Sequence, residues 1–199
     1  MSIRIAATLT GVVAPAVPRA LEALALGALY AATYLILGDE DVAELALGLS
    51  LCTVAVAITL TDLERRLIPN AIVAAGAGAA IVIVALGEPA SLGDRALAAL
   101  AAGGALLVVA LAHPRGMGMG DVKLVAMMGL YLGRAIAPAL LIGFALGAAV
   151  GVSIIARHGA RARKYAIAFG PLLAIGGVIG LWFGDRLVDW YLDELASAG

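Results

Sequence analysis

The 199-residue sequence holds one cysteine, two histidines and little charge, with Asp, Glu, Lys and Arg together making up 14% of it. With Cys52 alone, neither an internal disulfide nor a thiolate cage for a metal can form. His113 and His158 fall in different loops, which leaves a three-ligand zinc centre unsupported. No metal or other cofactor is therefore expected. A net charge of -1 offers no basic field, so nucleic acid is not an expected partner. A soluble domain carries about 25% charged and 45–50% apolar residues. This chain is 63% hydrophobic, with a mean hydropathy of +1.06. An ordinary water-soluble domain is excluded, and the lipid bilayer becomes the expected surrounding.

A helix that spans hydrocarbon needs about 20 mostly apolar residues. Runs near that length are Ala23–Gly38, Leu45–Thr61, Leu67–Gly87, Ala96–Pro114, Ala135–Ala156 and Tyr165–Gly184. A shorter run, Leu124–Gly133, would reach only about 15 Å as a helix and needs Asp121, Val122 and Lys123 to approach the far face. It is read as a seventh span, with a half-helix or re-entrant element as the alternative. Lipid gives backbone groups no partners, and runs this long without alternation exclude a barrel. The expected fold is all-α, a polytopic bundle of six to seven transmembrane helices. Small residues such as Gly143, Gly147 and Gly151, four apart on one face, suit close helix packing.

Lys and Arg mark cytoplasmic loops. With the N-terminus inside and seven spans, only Arg95, Arg134 and Arg186 fall outside, whereas ten acidic residues do. Six spans would break this alternation after Arg134. Residues 1–19, interrupted by Pro15, Pro18 and Arg19, read as an uncleaved interfacial lead-in rather than a secretory signal. Residues 20–185 form the transmembrane domain, and residues 186–199 a short extracytoplasmic tail.

Four acids escape the outward sorting: Glu22, Asp62, Glu64 and Asp121. Glu22 suits a helix start, where a carboxylate favours the positive end of the dipole. Asp62 directly follows the run ending at Thr61, and Asp121 directly precedes the run beginning at Val122. Both therefore sit at the cytoplasmic boundary of spans, where an ionisable residue is costly and points to function. Each lies beside loop punctuation. Pro69 biases Ile68 away from helical geometry before the next span, and Gly116-Met117-Gly118-Met119-Gly120 allows close backbone approach. Two carboxyl groups brought together resist double ionisation, so one keeps a proton and an acid and a base share one site.

The segment Thr61-Asp62-Leu63-Glu64-Arg65-Arg66-Leu67-Ile68-Pro69-Asn70, followed by Gly118-Met119-Gly120-Asp121-Val122-Lys123, resembles the type IV prepilin peptidases, membrane aspartyl proteases of the GxGD class. Ala168 to Gly177 and Gly143 to Gly151 resemble that family too, so the likeness runs over residues 45–185. It implies a catalytic pair, Asp62 and Asp121, that cuts the short basic leader from prepilin or pseudopilin precursors, on the cytosolic side of a bacterial or archaeal cytoplasmic membrane. Gly118, Gly120 and Lys123 match the second motif, and Pro69 and Asn70 the first. Glu64 stands where some members carry a further aspartate. It is expected either to support the site or to pair with Arg65 or Arg66. Long members carry a cytoplasmic insertion with cysteine pairs, associated with N-methylation. This chain has only Cys52, expected to be a packing residue, and resembles the short peptidase-only form. Two other uses of the same carboxylates stay open. A small transporter or channel subunit would use them as a proton or cation site, which predicts acids near the bilayer midplane. A pilin assembly factor would bind without cutting.

Overall fold

The computed structural model describes residues 18–113, 117–158 and 168–197. The expected lead-in, apart from Pro18 and Arg19, lies outside these residues, as do the loop bases Arg115, Arg161, Arg163 and Lys164. Among the described residues the regular structure is entirely helical: α1 (Arg19–Leu37), α2 (Val42–Arg65), α3 (Asn70–Gly87), α4 (Leu92–Ala112), α5 (Met119–Leu132), α6 (Ile136–His158) and α7 (Gly170–Ser197). Short 3-10 turns, Pro89–Ser91 and Gly133–Ala135, precede α4 and α6. Six helical stretches are long and apolar enough to cross a membrane, with Met119–Arg157 taken as one.

Within that fifth stretch the chain reverses at Gly133, whose φ of 53° is open to glycine. The packing partners establish the direction of every helix. Tyr30 meets Thr53 and Thr33 meets Cys52, so α1 and α2 are antiparallel. The glycines at 129 and 103 lie against Ala99 and Ala126, so α4 and α5 are antiparallel. Ala135 lies against Gly184 and Ala139 against Gly180, so α6 and α7 are antiparallel. The start of α5 lies beside the end of α2 and the start of α3, and its last turn lies at the start of α4. Helix α5, which holds most of the Leu124–Gly133 run, thus extends from one end of the bundle to the other over 14 residues or about 21 Å, starting five residues before that run.

The central pillar is α5, which buries Val122, Leu124, Val125, Met127, Met128, Tyr131 and Leu132. Helix α1, by contrast, buries only Thr33 and presents Leu24 and Leu35 outward, as a helix at the lipid boundary would. The helices differ from their sequence-read limits in physically simple ways. Helix α2 continues past Thr61 to Arg65, because its backbone is closed only at Arg66, a left-handed residue whose N–H donates to the carbonyl of Asp62 at 2.8 Å. Helix α3 starts at Asn70 rather than Leu67, because Pro69 holds an extended N-cap. Residues 186–197 continue α7, since nothing in Asp185–Ser197 breaks a helix.

Among the described residues, three polar or charged ones are buried: Thr33, Asp62 and Arg95. Burial of such groups is costly without partners. Thr33 has two, since its hydroxyl accepts the Trp182 indole N–H at 3.1 Å and bonds Cys52 at 3.3 Å, tying α1, α2 and α7 together. Cys52 accordingly packs in the core. Arg95 lies at the bundle end remote from Asp62. Its guanidinium donates to the Glu44 carboxylate, to the Tyr131 carbonyl and, at 3.2 Å, to Ser91, with Glu88 3.7 Å away. One side chain thereby joins α2, α4 and α5. Arg95→Ala is expected to cost about 3 kcal/mol, because truncating one partner strands the other charge; the Glu44 side chain, 34% exposed, keeps the loss near the low end. Unfolding of the detergent-solubilised protein measures it. The third buried group, Asp62, has no cationic partner within ion-pair distance among the described residues.

Candidate active site

Asp62 occupies the last turn of α2 and is 6% exposed. Its Oδ2 accepts the backbone N–H of Gly170, the first residue of α7, at 3.0 Å. Below it the Arg66 cap turns the chain into the extended link Leu67-Ile68-Pro69. That link brings Ile68 against the start of α5. A Cβ on Gly120 would stand 3.1 Å from the Ile68 Cβ, so glycine at this position lets the two segments touch.

Asp121 is the third residue of α5, after the extended N-cap Gly118 (ψ 144°). The Asp121 amide donates to the Gly118 carbonyl at 3.1 Å, and its carboxyl group turns back toward Gly118, where a Cβ would stand 3.4 Å from Oδ2. A carboxyl at the third helical position near the N-cap favours the positive end of the helix dipole. Asp121 is half-buried, and its neighbour Gly120 lies against Ile68, six residues beyond Asp62, so both carboxyl groups belong to the same end of the bundle. Two carboxyl groups at one end of the bundle, one of them buried and anchored by a backbone N–H, can divide the work of acid and base where they meet.

The remaining motif residues divide into those that build this end of the bundle and those that face outward. Lys123 and Asn70, both exposed, meet each other: the lysine ammonium donates to the Asn70 Oδ1 at 3.0 Å and links the first turns of α3 and α5. Pro69 caps α3, its carbonyl accepting from Ile72 at 3.1 Å. Gly118 is exposed, and a Cβ there would meet only ordinary contacts. Glu64 is exposed and makes no ion pair with Arg65 or Arg66 among the described residues, so the expected surface pair is not formed. Nothing in its contacts ties it to the two aspartates. Among the described residues no three His, Cys, Asp or Glu side chains lie together as metal ligands.

One contact at this site was not singled out by the sequence. Gly170 lies in a segment whose resemblance was noted, yet its contact with Asp62 joins residues 108 positions apart. The available signal was local: a glycine directly before Pro171 at the head of an apolar run, a suitable helix start. A cavity of about 450 Å³ between α3, α4 and α5 opens beside Asn70 and Lys123 and is otherwise lined by apolar residues such as Val73, Ala77, Leu100 and Met127. It lies on the α5 face carrying Lys123, Met127 and Leu130, whereas Asp121 shares its face with Leu124, Val125 and Met128.

Residues 49–152 match the profile of the type IV leader peptidase family, a stretch that includes both aspartates and ends before Gly170. The chain is 36% identical over 151 residues to a prepilin leader peptidase/N-methyltransferase from Aeromonas hydrophila, covering 73% of this chain and 52% of that protein. The protein of the same name from Burkholderia pseudomallei (strain 1026b) is 33% identical over 168 residues, covering 81% of this chain and 53% of its own. One from Aeromonas salmonicida is 35% identical over 154 residues, covering 74% and 53% respectively. The chain thus spans about half the length of these curated relatives. No solved structure matches it.

Proposed function

Because the chain belongs to the type IV leader peptidase family, we propose that it is a multi-pass membrane aspartyl endopeptidase that removes the short basic leader from type IV prepilin-like precursors. The observation that carries this reading is the buried Asp62, with no cation in ion-pair distance among the described residues, at the same end of the bundle as Asp121, whose neighbour Gly120 lies against Ile68. In the proposed reaction the ionised member of the pair takes a proton from water. The resulting hydroxide attacks the scissile peptide carbonyl. The protonated member stabilises the oxyanion and, as the C–N bond breaks, the proton taken from water is returned to the leaving amine. The two carboxyls act as a unit, without a metal.

The site is proposed to face the cytosol of a bacterial or archaeal cytoplasmic membrane. Charge supports this orientation. Arg65, Arg66 and Lys123 lie at the aspartate end, whereas Asp39, Glu40, Asp41, Glu88 and Asp185 lie at the opposite end, matching the excess of basic residues in cytoplasmic loops. N-methylation, named for the relatives, is not part of the proposal.

The test is incubation of the purified full chain, in detergent or vesicles, with a precursor that carries a basic leader, a glycine and an apolar helix. Mass spectrometry is expected to show the shortened protein and the free leader. An unchanged precursor mass would overturn the peptidase reading and leave transport or non-catalytic binding.

A further inference from the structure

Gly170 is the first residue of a 28-residue helix, and its backbone N–H is one of the four at any helix start that have no partner inside the helix. It donates to Oδ2 of Asp62 at 3.0 Å. Asp62 sits at the closing turn of α2, where a helix dipole disfavours negative charge, while the start of α7 favours it. The contact has no room to spare. A Cβ on Gly170 would fall 2.8 Å from the Asp62 Oδ2 and 3.2 Å from its Cγ, so any other residue would push either the carboxyl or the helix away.

The segment that delivers this N–H is itself held on both sides. Phe169 seats on Gly147 of α6, where a Cβ would stand 2.5 Å from its ring, and its ring centroid is 5.6 Å from that of Phe144. Further along α7, a Cβ on Gly176 would stand 2.4 Å from the Ala139 carbonyl, so the backbones of α6 and α7 are nearly in contact. Pro171, next in sequence, has no N–H to offer as a substitute.

We propose that Gly170 is a positioning residue for proteolysis: its N–H and its lack of a side chain fix the Asp62 carboxyl in the attitude from which it meets Asp121 and the attacking water. This inference rests on the peptidase reading above. It makes α7, outside the stretch matched by the family profile, an essential wall of the site.

The test separates the donor from the space. Replacing Gly170 by glycolic acid turns its amide into an ester, removing the N–H while adding no side chain. Gly170→Ala keeps the N–H and adds the Cβ. With a precursor that the wild-type protein cleaves, both changes are expected to lower kcat by about 10- to 100-fold, the scale of a lost hydrogen bond to a charged group or of a misplaced catalytic group, with KM within about twofold of the wild-type value. Gly151→Ala, whose Cβ meets nothing within 4 Å, is the control and should match wild type. If Gly170→Ala fails to fold, the ester decides alone. An ester variant with wild-type kcat, where Asp62→Asn is inactive, would overturn the role of Gly170 and leave the peptidase reading standing. A rise in KM at unchanged kcat would overturn it equally. Failure of the wild-type protein to cleave any precursor would overturn both.

Discussion

Asp62→Asn and Asp121→Asn are each expected to lower kcat by at least about 10³-fold, because either change removes one half of an acid–base pair whose members act only together. Asn has the shape of Asp, so the fold should persist. At position 62 the amide oxygen can still accept from the N–H of Gly170. The variant carrying both changes should be no slower than either single one, since the second substitution damages a machine already stopped. Unfolding midpoints near the wild-type value, measured on the same preparations, would locate the loss in chemistry. Substantial cleavage by either single variant would mean that the carboxyls are not a functional pair.

Gly129→Ala carries the second large effect, and it acts through the fold. A Cβ at this position would lie 2.5 Å from the Cα and 2.7 Å from the backbone N of Ala99. The obstacle is main chain, which cannot rotate aside, so α4 and α5 would have to separate. Overpacking of this kind costs about 1–3 kcal/mol and occasionally more. Because α5 also carries Asp121 at its head, kcat should fall along with the unfolding midpoint. Gly104→Ala on α4, where the new methyl group meets nothing within 4 Å, should leave both measurements unchanged or raise stability slightly through helix propensity. Equal behaviour of the two variants would contradict the close α4–α5 crossing.

The spans were legible because hydrocarbon imposes a length and a composition that few other environments demand. The short run before Gly133 was legible through charge sorting, which needs a crossing between Lys123 and Arg134 so that Arg134 falls at the acidic end with Asp185 and Asp189 while Arg157 returns to the basic end. There the structure forms two ion pairs, Arg134 to Asp185 and to Asp189, each at 2.7 Å. Arg95 looked like an ordinary exception to the sorting rule. Its burial became visible only when Glu44 and the end of α5 were brought beside it, 51 and 36 residues away in sequence. The glycines four apart on α6 were only partly informative: Gly143 and Gly147 face α7 and the segment leading into it, whereas Gly151 meets nothing. Helix limits at Arg65 and Ser197 escaped notice because hydropathy records where apolar runs stop, while a helix stops only at a residue that breaks its hydrogen bonding. The contact between Gly170 and Asp62 was illegible for a related reason, since a backbone donor has no side chain to betray its role.

The central claim is that Asp62 and Asp121 titrate and react as one unit, and the pH dependence of kcat for the wild-type protein tests it most directly. The active form holds a single proton between two carboxyls. Activity should therefore fall on the acid side, where both are protonated, and again on the alkaline side, where both are ionised, giving a bell bounded by two coupled ionisations. A rate that changes on one side only, or that stays level across the range, would contradict the account.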